Sequence, residues 1–523
     1  MGMDRRQDGM PDKRAGLWWQ SRPFLWACIL LSAVPLLWAA VPPLTDMGDH
    51  IGSYRILAEA GRGPLSRYYE VHWAAVGNLG VEAIVLALHG LFGIGIEPAA
   101  KFTVLAIPPL TVAGMIALAR AVHGDLPASA MLAFPLAYAS AFQMGFVNFA
   151  LAQALVLLSL ALWLRLAKTH APAWRIGLFA VIAPVIWLCH ALGWAMLVAY
   201  TFGAEIGRRG EQGESWPGAL GRAAVMVAPM ALPALWMIRG GGDQVAGESG
   251  GWALVYKARW LLTLLQERWL AWDAAAMVVL LLFGYAVLRS RRLAIRPVLG
   301  VPAAIGFAIF LVLPYAYRGG AYLDMRMLAP ATMLLLLAVR VRAPDLAGRL
   351  AVLGTLFFVA RLVGTTLAFA QLTQGQERDW RAIAALPPGG AVLVLTDASG
   401  EAPWAAPRRW HVAGLAIVRA GVFTNTQWAV PGQHLIRSRL GRAAPYDQDP
   451  SSFVFPPGSE DRATDFDEAI RDFNRCTFDA VWTIGFPVGR ARSPDLVPIW
   501  AKGDSAVYRV RRGRCLSKPP SVR

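Results

Sequence analysis

Charge and cysteine are what this sequence has little of. Only 16% of its 523 residues are charged, against about 25% in ordinary soluble domains. With 56% apolar residues, that excludes a disordered chain and a single soluble globule. Four cysteines exclude a disulfide scaffold, and none are spaced C-x-x-C to hold a metal. Acids are scarcest where the chain is most apolar: residues 1–370 hold 19 of the 34 Asp and Glu. No Walker motif occurs, because Gly240-Gly241-Gly242 follows no strand and precedes no Gly-Lys-Ser/Thr, so ATP-driven transport lacks support. No internal repeat or low-complexity stretch is evident.

What is present is a series of long apolar runs. The net charge of +16 is read as a topology signal on cytoplasmic loops rather than a nucleic-acid footprint, so no nucleic-acid partner is expected. The first run, 24–41, follows Arg5, Arg6, Lys13, Arg14 and Arg22, which puts the N-terminus in the cytoplasm. Trp38-Ala39-Ala40 is a poor cleavage site, so the run reads as a retained span. Further apolar segments lie near 75–95, 101–122, 126–142, 145–166, 176–206, 220–238, 271–288, 297–316, 322–341 and 346–370. Basic loops at Arg165/Lys168/Arg175, Arg208/Arg209/Arg222, Arg289/Arg291/Arg292/Arg296 and Arg340/Arg342/Arg349 belong on the cytoplasmic side.

Parity constrains the rest. The 176–206 run has cytoplasmic charges at both ends and would make a helix of roughly 46 Å, beyond a hydrocarbon core of about 30 Å. It is expected to be a hairpin turning at Cys189-His190-Ala191-Leu192-Gly193. Of the four segments between 75 and 166 an odd number must cross. The 75–95 segment, with Asn78, Glu82 and His89, is expected to be short, re-entrant or broken. The expected fold is a polytopic α-helical membrane protein of about eleven crossings, with a C-terminal periplasmic α/β domain. Residues 1–22 would be cytoplasmic, 23–370 the transmembrane domain with a first periplasmic loop at 42–74, and 371–523 the outer domain.

The tail has a different texture. It reads as helix at 379–385, strand at 391–396, helix at 466–473 and strands at 479–484 and 505–510. Cys476 and Cys515 fall here, in an oxidising compartment, where pairing and free thiols are both open.

Chemistry on the outer face must draw on few acids: Asp46, Asp49, Glu59, Glu70, Glu82, Asp243, Glu248, Glu267, Asp273 and Asp324. The richest stretch is Pro42-Pro43-Leu44-Thr45-Asp46-Met47-Gly48-Asp49-His50, followed by an amphipathic 51–60 helix expected on the membrane surface. Asp46 and Asp49 suit a catalytic base or a divalent cation such as Mg or Mn. Thr45 or Asp46 also suits a helix cap, with Asp49 favouring the helix dipole. His190, in the hairpin turn, is either a packing residue or a ligand contact. Gln143 and Asn148 suit a sugar or a helix break equally. In Tyr315-Ala-Tyr-Arg318-Gly-Gly-Ala-Tyr-Leu-Asp324-Met-Arg326, Arg326 sits just inside an apolar run, where an arginine needs a partner. It would bind phosphate or pair with Asp324.

In this order the features resemble the GT-C superfamily of membrane glycosyltransferases, which includes aminoarabinose transferases and protein O-mannosyltransferases. The resemblance is carried by the acidic-His turn Asp46-Met-Gly-Asp-His50, Gly145-Phe-Val-Asn-Phe149, the span-breaking His190, Arg326 opening a late span, and Pro431-Gly432-Gln433 in the tail. A departure is Gly77-Asn78, where some relatives carry Pro before the Asn. The resemblance implies inverting transfer of a sugar from a polyprenyl-phosphate-linked donor, among membrane lipids, to a lipid, glycan or protein acceptor. Asp46 or Asp49 would be the base, Arg326 with Arg318 would hold the phosphate, and His50 or His190 would orient groups. A non-enzymatic lipid or glycan transporter and a membrane scaffold are the competing readings.

Overall fold

The computed structural model describes residues 17–239, 250–317, 319–399, 404–456 and 464–511. Gly240 to Gly242, Asp243, Glu248, Arg318 and Cys515 lie outside the described residues. Cys476 is disulfide-bonded, while Cys28 and Cys189 are free and buried.

The helices of the apolar part, in chain order, are α1 (Arg22–Leu31), α2 (Met47–Glu59), α3 (Gly80–Phe92), α4 (Ile96–Leu105), α5 (Ile107–His123), α6 (Ser140–Gln143), α7 (Val147–Thr169), α8 (Pro172–Cys189) and α9 (Ala191–Glu211). They continue as α10 (Trp216–Val227), α11 (Leu232–Arg239), α12 (Leu254–Leu262), α13 (Leu270–Arg289), α14 (Pro297–Val312), α15 (Leu323–Ala338) and α16 (Pro344–Trp380). By length and composition, six helical stretches among the described residues can cross a membrane: Ile96–His123, Val147–Thr169, Pro172–Cys189, Trp216–Ile238, Leu270–Arg289 and Pro344–Ala385. Arg22–Leu36, Gly80–Phe92 and Pro297–Val312 are apolar but shorter.

Proline explains several departures from a simple row of spans. The first run is not one helix, because α1 stops at Leu31 and Pro35 sits in a 3-10 turn, Val34–Leu36. The 126–142 segment, expected as a span, is instead the 3-10 turns Ala128–Leu132 and Phe134–Tyr138 followed by four-residue α6. Pro127 and Pro135 start those turns. The 75–95 segment holds α3, which at 13 residues spans roughly 20 Å, short of a bilayer core. The hairpin is as expected: α8 and α9 meet at His190, whose backbone is extended (φ −163°, ψ 127°).

The basic ends converge on one side. Arg296 pairs with Glu211 at 2.6 Å, and Arg208 and Arg175 with buried Glu205 at 2.5 and 3.5 Å. A two-stranded ribbon joins β2 (Leu293–Ile295) to β3 (Val339–Val341) there; the strand β1 (Tyr69–Val71) precedes them in the chain.

At the other end α16, 37 residues long, extends roughly 55 Å. Residue 370 therefore falls inside a helix, whose last turns bury Gln376, Asp379 and Trp380 in the tail. The tail carries strands β4 (Ala391–Asp397), β5 (Phe423–Thr424), β6 (Ile436–Ser438), β7 (Phe453–Val454), β8 (Ala480–Ile484), β9 (Leu496–Lys502) and β10 (Ser505–Val510), with helices α17 (Leu415–Ala420) and α18 (Phe466–Asp472). The sheet order is β5-β4-β8-β10-β9, with β7 also on β4. β4 is parallel to β5, β7 and β8, whereas β10 is antiparallel to β8 and β9. One buried cluster runs from the helices into the sheet through Val394, Val412, Trp482 and Val507.

The first loop is locked to this tail. β1 pairs antiparallel with β6, Glu70 opposite Arg437. Helix α2, expected on the membrane surface, is buried along most of its length. It packs against α17 and the 3-10 turn Val412–Gly414. Small residues permit that approach: a Cβ on Gly48 would overlap the His411 carbonyl, and one on Gly414 would overlap the Asp49 carboxylate.

Candidate functional site

Asp46 is the N-cap residue of α2, but its side chain makes no cap hydrogen bond, so the carboxylate is left for other work. Its backbone N–H donates to Met144 O at 3.1 Å, and Thr45 N–H to Gln143 O at 3.3 Å. The chain then turns at Gly145 (φ 90°), where a Cβ would sit 2.7 Å from Asp46 N; glycine is required there both for φ and for space. The next residue, Phe146, lies under the Arg326 guanidinium, 4.0 Å from its ring centre. Arg326 Nη1 lies 3.0 Å from His190 Nε2, and the His190 ring packs edge-on against Phe149. The 145–149 turn thus joins the acidic exit of the first helix to Arg326 and His190, and Asp46 and Arg326 sense each other's charge.

Asp49 differs in kind from Asp46. It is fully buried. Its Oδ1 accepts from Thr426 Oγ1 at 2.5 Å and Gln427 Nε2 at 3.1 Å, and its Oδ2 contacts His411 Nδ1. The other ring nitrogen of His411 faces Asp46 Oδ1 at 3.6 Å. Carboxylates on both ring nitrogens favour the imidazolium. Burial alone would lower the His411 pKa, but the charge and hydrogen bond of Asp49 raise it to about 9. Burial raises Asp46 to about 6, against the pull of His411 and Arg326.

Around these stand aromatic and titratable side chains. Trp428 lies 4.9 Å from His50, 5.2 Å from His411 and 6.1 Å from His434, ring centre to ring centre. Burial, with the charge of His411 next, lowers His50 to about 3, so it is neutral. Burial raises Asp449 to about 7, and its Oδ1 has no hydrogen-bond partner among the described residues. Tyr322, four residues before Arg326, holds a left-handed φ of 58°, costly for a non-glycine residue and common at functional sites.

The other acids are committed elsewhere. Glu59 pairs with Arg55 at 2.6 Å and Glu70 with Arg439 at 3.3 Å. Asp273 and Glu267 face Arg361 at 2.9 and 3.4 Å. Asp324 pairs not with Arg326 but with buried Lys257, at 2.7 Å. Asn148, considered for a sugar, is spent on the break before α3: it accepts from Val81 N–H at 2.6 Å and donates to Glu82 at 2.8 Å. Arg318 lies outside the described residues. Among the described residues Asp46 is thus the expected outer acid whose carboxylate accepts no hydrogen bond. The pair Asp46–Asp49 fits a Mg or Mn ion poorly. Asp49 spends both oxygens, and no group of three or more His, Cys, Asp or Glu among the described residues is placed to hold a metal.

No family model matches this chain, and no curated protein does. Solved structures resemble it in layout. ArnT from Cupriavidus metallidurans bound to undecaprenyl phosphate is 14% identical with a TM-score of 0.48, over 93% of this chain and 97% of ArnT. The apo state of the same protein gives 13% and 0.49 over the same shares. Arabinofuranosyltransferase AftD from Mycobacteria gives 15% and 0.48, over 94% of this chain and 40% of AftD.

His411, Asp449, Trp428 and Lys257 escaped the sequence reading. For His411 a signal existed in Arg408-Arg409-Trp410-His411, a dense polar and aromatic run in a tail otherwise read for its strands. Arg408, buried, reaches Pro43 O at 3.1 Å and contacts Gln143 through its carbonyl and its side chain.

Proposed function

We propose that this chain is an inverting glycosyltransferase of the cytoplasmic membrane. It would move a sugar from a polyprenyl-phosphate-linked donor to an envelope acceptor at the outer, periplasmic face. The observation that carries the reading is the convergence of Asp46, His411, Arg326 and His190 in one buried side-chain cluster across the Gly145–Phe146 turn. The basic loops gathered at the opposite end support an outward-facing tail.

In the proposed reaction the acceptor hydroxyl gives its proton to the Asp46 carboxylate while its oxygen attacks the anomeric carbon. The bond from that carbon to the phosphate oxygen breaks, and the electron pair leaves with the polyprenyl phosphate. Arg326, over Phe146 and beside His190, stabilises the growing phosphate charge where water is scarce. Asp49 touches no substrate; it holds His411, which in turn sets Asp46. For the lipid tail, an apolar groove of about 430 Å³ lies between α9 and α10, lined by Trp194, Val198, Phe202 and Val227. Trp194 is one helical turn from His190. No step is assigned to a metal.

The test compares cells making the wild-type chain or Asp46→Asn at equal membrane levels, reading lipid-linked and envelope glycans by mass spectrometry. Wild type is expected to add a sugar to an envelope component and Asp46→Asn to add none. Identical profiles, with both proteins present, refute the reading; glycans made in both but moved only by wild type would indicate a transporter.

A further inference from the structure

A polar cavity of about 570 Å³ has neither Asp46 nor Arg326 in its lining. Its floor is the carboxyl end of parallel strands β4 and β8, at Thr396, Asp397, Ile484 and Gly485, and one wall is the outer end of α16. In open α/β sheets that edge is where ligands bind, and the volume suits a small saccharide.

The lining chemistry narrows the class. Gln371, Gln374 and Gln376 bring amides, which donate to and accept from hydroxyls. The Gln376 amide nitrogen donates to Arg408 O at 2.8 Å. Its buried Oε1, buried Thr396 Oγ1 and the indole N–H of Trp410 have no hydrogen-bond partner among the described residues. Such groups are expensive to bury unpaired. Arg268, Arg378, Arg408 and Arg409 line the cavity against Asp397 and Asp504, which leaves it net positive even with Arg378 and Arg409 paired to Asp504 and Arg409 also to Asp379.

We propose that this cavity is a second site, for an anionic saccharide, and that it holds the acceptor glycan; the acceptor role rests on the transferase reading. Residues 407–410 line the cavity, and the next residue, His411, contacts Asp49 and faces Asp46. Occupancy is thus one residue removed from the base.

The test uses the full-length chain in detergent micelles, with trigalacturonate as probe and saturation-transfer NMR as readout. Trigalacturonate is expected to bind, and neutral maltotriose to bind at least about tenfold more weakly. Gly375 lines the cavity, and a Cβ there meets nothing within 4 Å. Gly375→Tyr should therefore fill the space, abolish binding and leave thermal stability unchanged or higher. Arg268→Gln should weaken binding about tenfold, whereas Asp46→Asn should bind as wild type does. No binding by wild type, full binding by Gly375→Tyr, inorganic phosphate binding as tightly as the trisaccharide, or displacement by phosphatidylglycerol micelles would each overturn the proposal. Because the readout needs no turnover, binding without any glycan transfer in cells would sink the transferase reading and with it the acceptor role, and leave the saccharide site standing.

Discussion

At the scale of the residue, one helical turn separates two carboxylates with opposite fates. Asp49 is enclosed and hydrogen-bonded, so Asp49→Asn should destabilise the protein by about 3–5 kcal/mol by breaking the buried pair and leaving the His411 imidazolium only its 3.6 Å contact to Asp46; thermal unfolding in detergent measures this. Asp46 accepts no hydrogen bond, so Asp46→Asn should leave unfolding nearly unchanged and lower transfer by about 10²–10⁴-fold. Equal effects of the two changes on both readouts would mean that the division of labour is misassigned. The pH profile tests the same assignment. Asp46 acts as base only when ionised, so transfer should rise with pH through about 6. His411 serves as imidazolium, so transfer should fall as pH passes about 9. The sign for stability follows from linkage. The folded pKa of His411 is raised from 6.5 to about 9, so its contribution is full below about 6.5 and is lost as pH rises through 9. In His411→Gln the alkaline fall in melting temperature should shrink.

At the scale of the element, the site depends on close packing of small residues. Gly414→Ala would press a methyl group into the Asp49 carboxylate, with α2 on one side and α17 on the other. Overpacking of this kind costs typically 1–3 kcal/mol, so the variant should melt earlier and lose transfer together. Gly421→Ala, a tail glycine whose added Cβ meets nothing within 4 Å but whose φ is 63°, should cost only the backbone strain and leave transfer intact. Kinetics on the two purified variants separate a packing effect from a general loss of the tail. The same elements show what could be read in advance. The break at His190 was legible, because an apolar run with basic residues at both ends is too long for one crossing. The 3-10 turns of 126–142 were not, because their apolar composition matches that of a span, and only Pro127 and Pro135 hinted otherwise. The burial of α2 was illegible for a different reason. Its partners, His411, Thr426 and Gln427, lie more than 350 residues away in sequence, and periodicity reports an apolar face without saying what covers it. Lys257 claimed Asp324 across a shorter gap of 67 residues, which local spacing does not reveal either.

At the scale of the whole molecule, the tail completes the site. The β1–β6 ribbon, the Arg408 contacts to Pro43 and Gln143, and the hydrogen bonds from Thr426 and Gln427 to Asp49 all tie the first loop to residues beyond α16. A chain ended after Ala385 would keep its apolar helices and so insert in the membrane, since insertion needs only their length and hydropathy. It would also strip donors from the buried Asp49 and uncover the face of α2 that packs on α17. The expected outcome is a membrane-resident protein with no transfer, in which protease added to the detergent-solubilised chain cuts within 47–59, a stretch protected in the full chain. Supplying the tail as a separate polypeptide on the same side of the membrane as the first loop should restore protection and transfer together if the two parts dock as they do in one chain. If the truncated chain resists cleavage there, the first loop is folded without the tail, and the assignment of His411 to the Asp46 cluster fails with it.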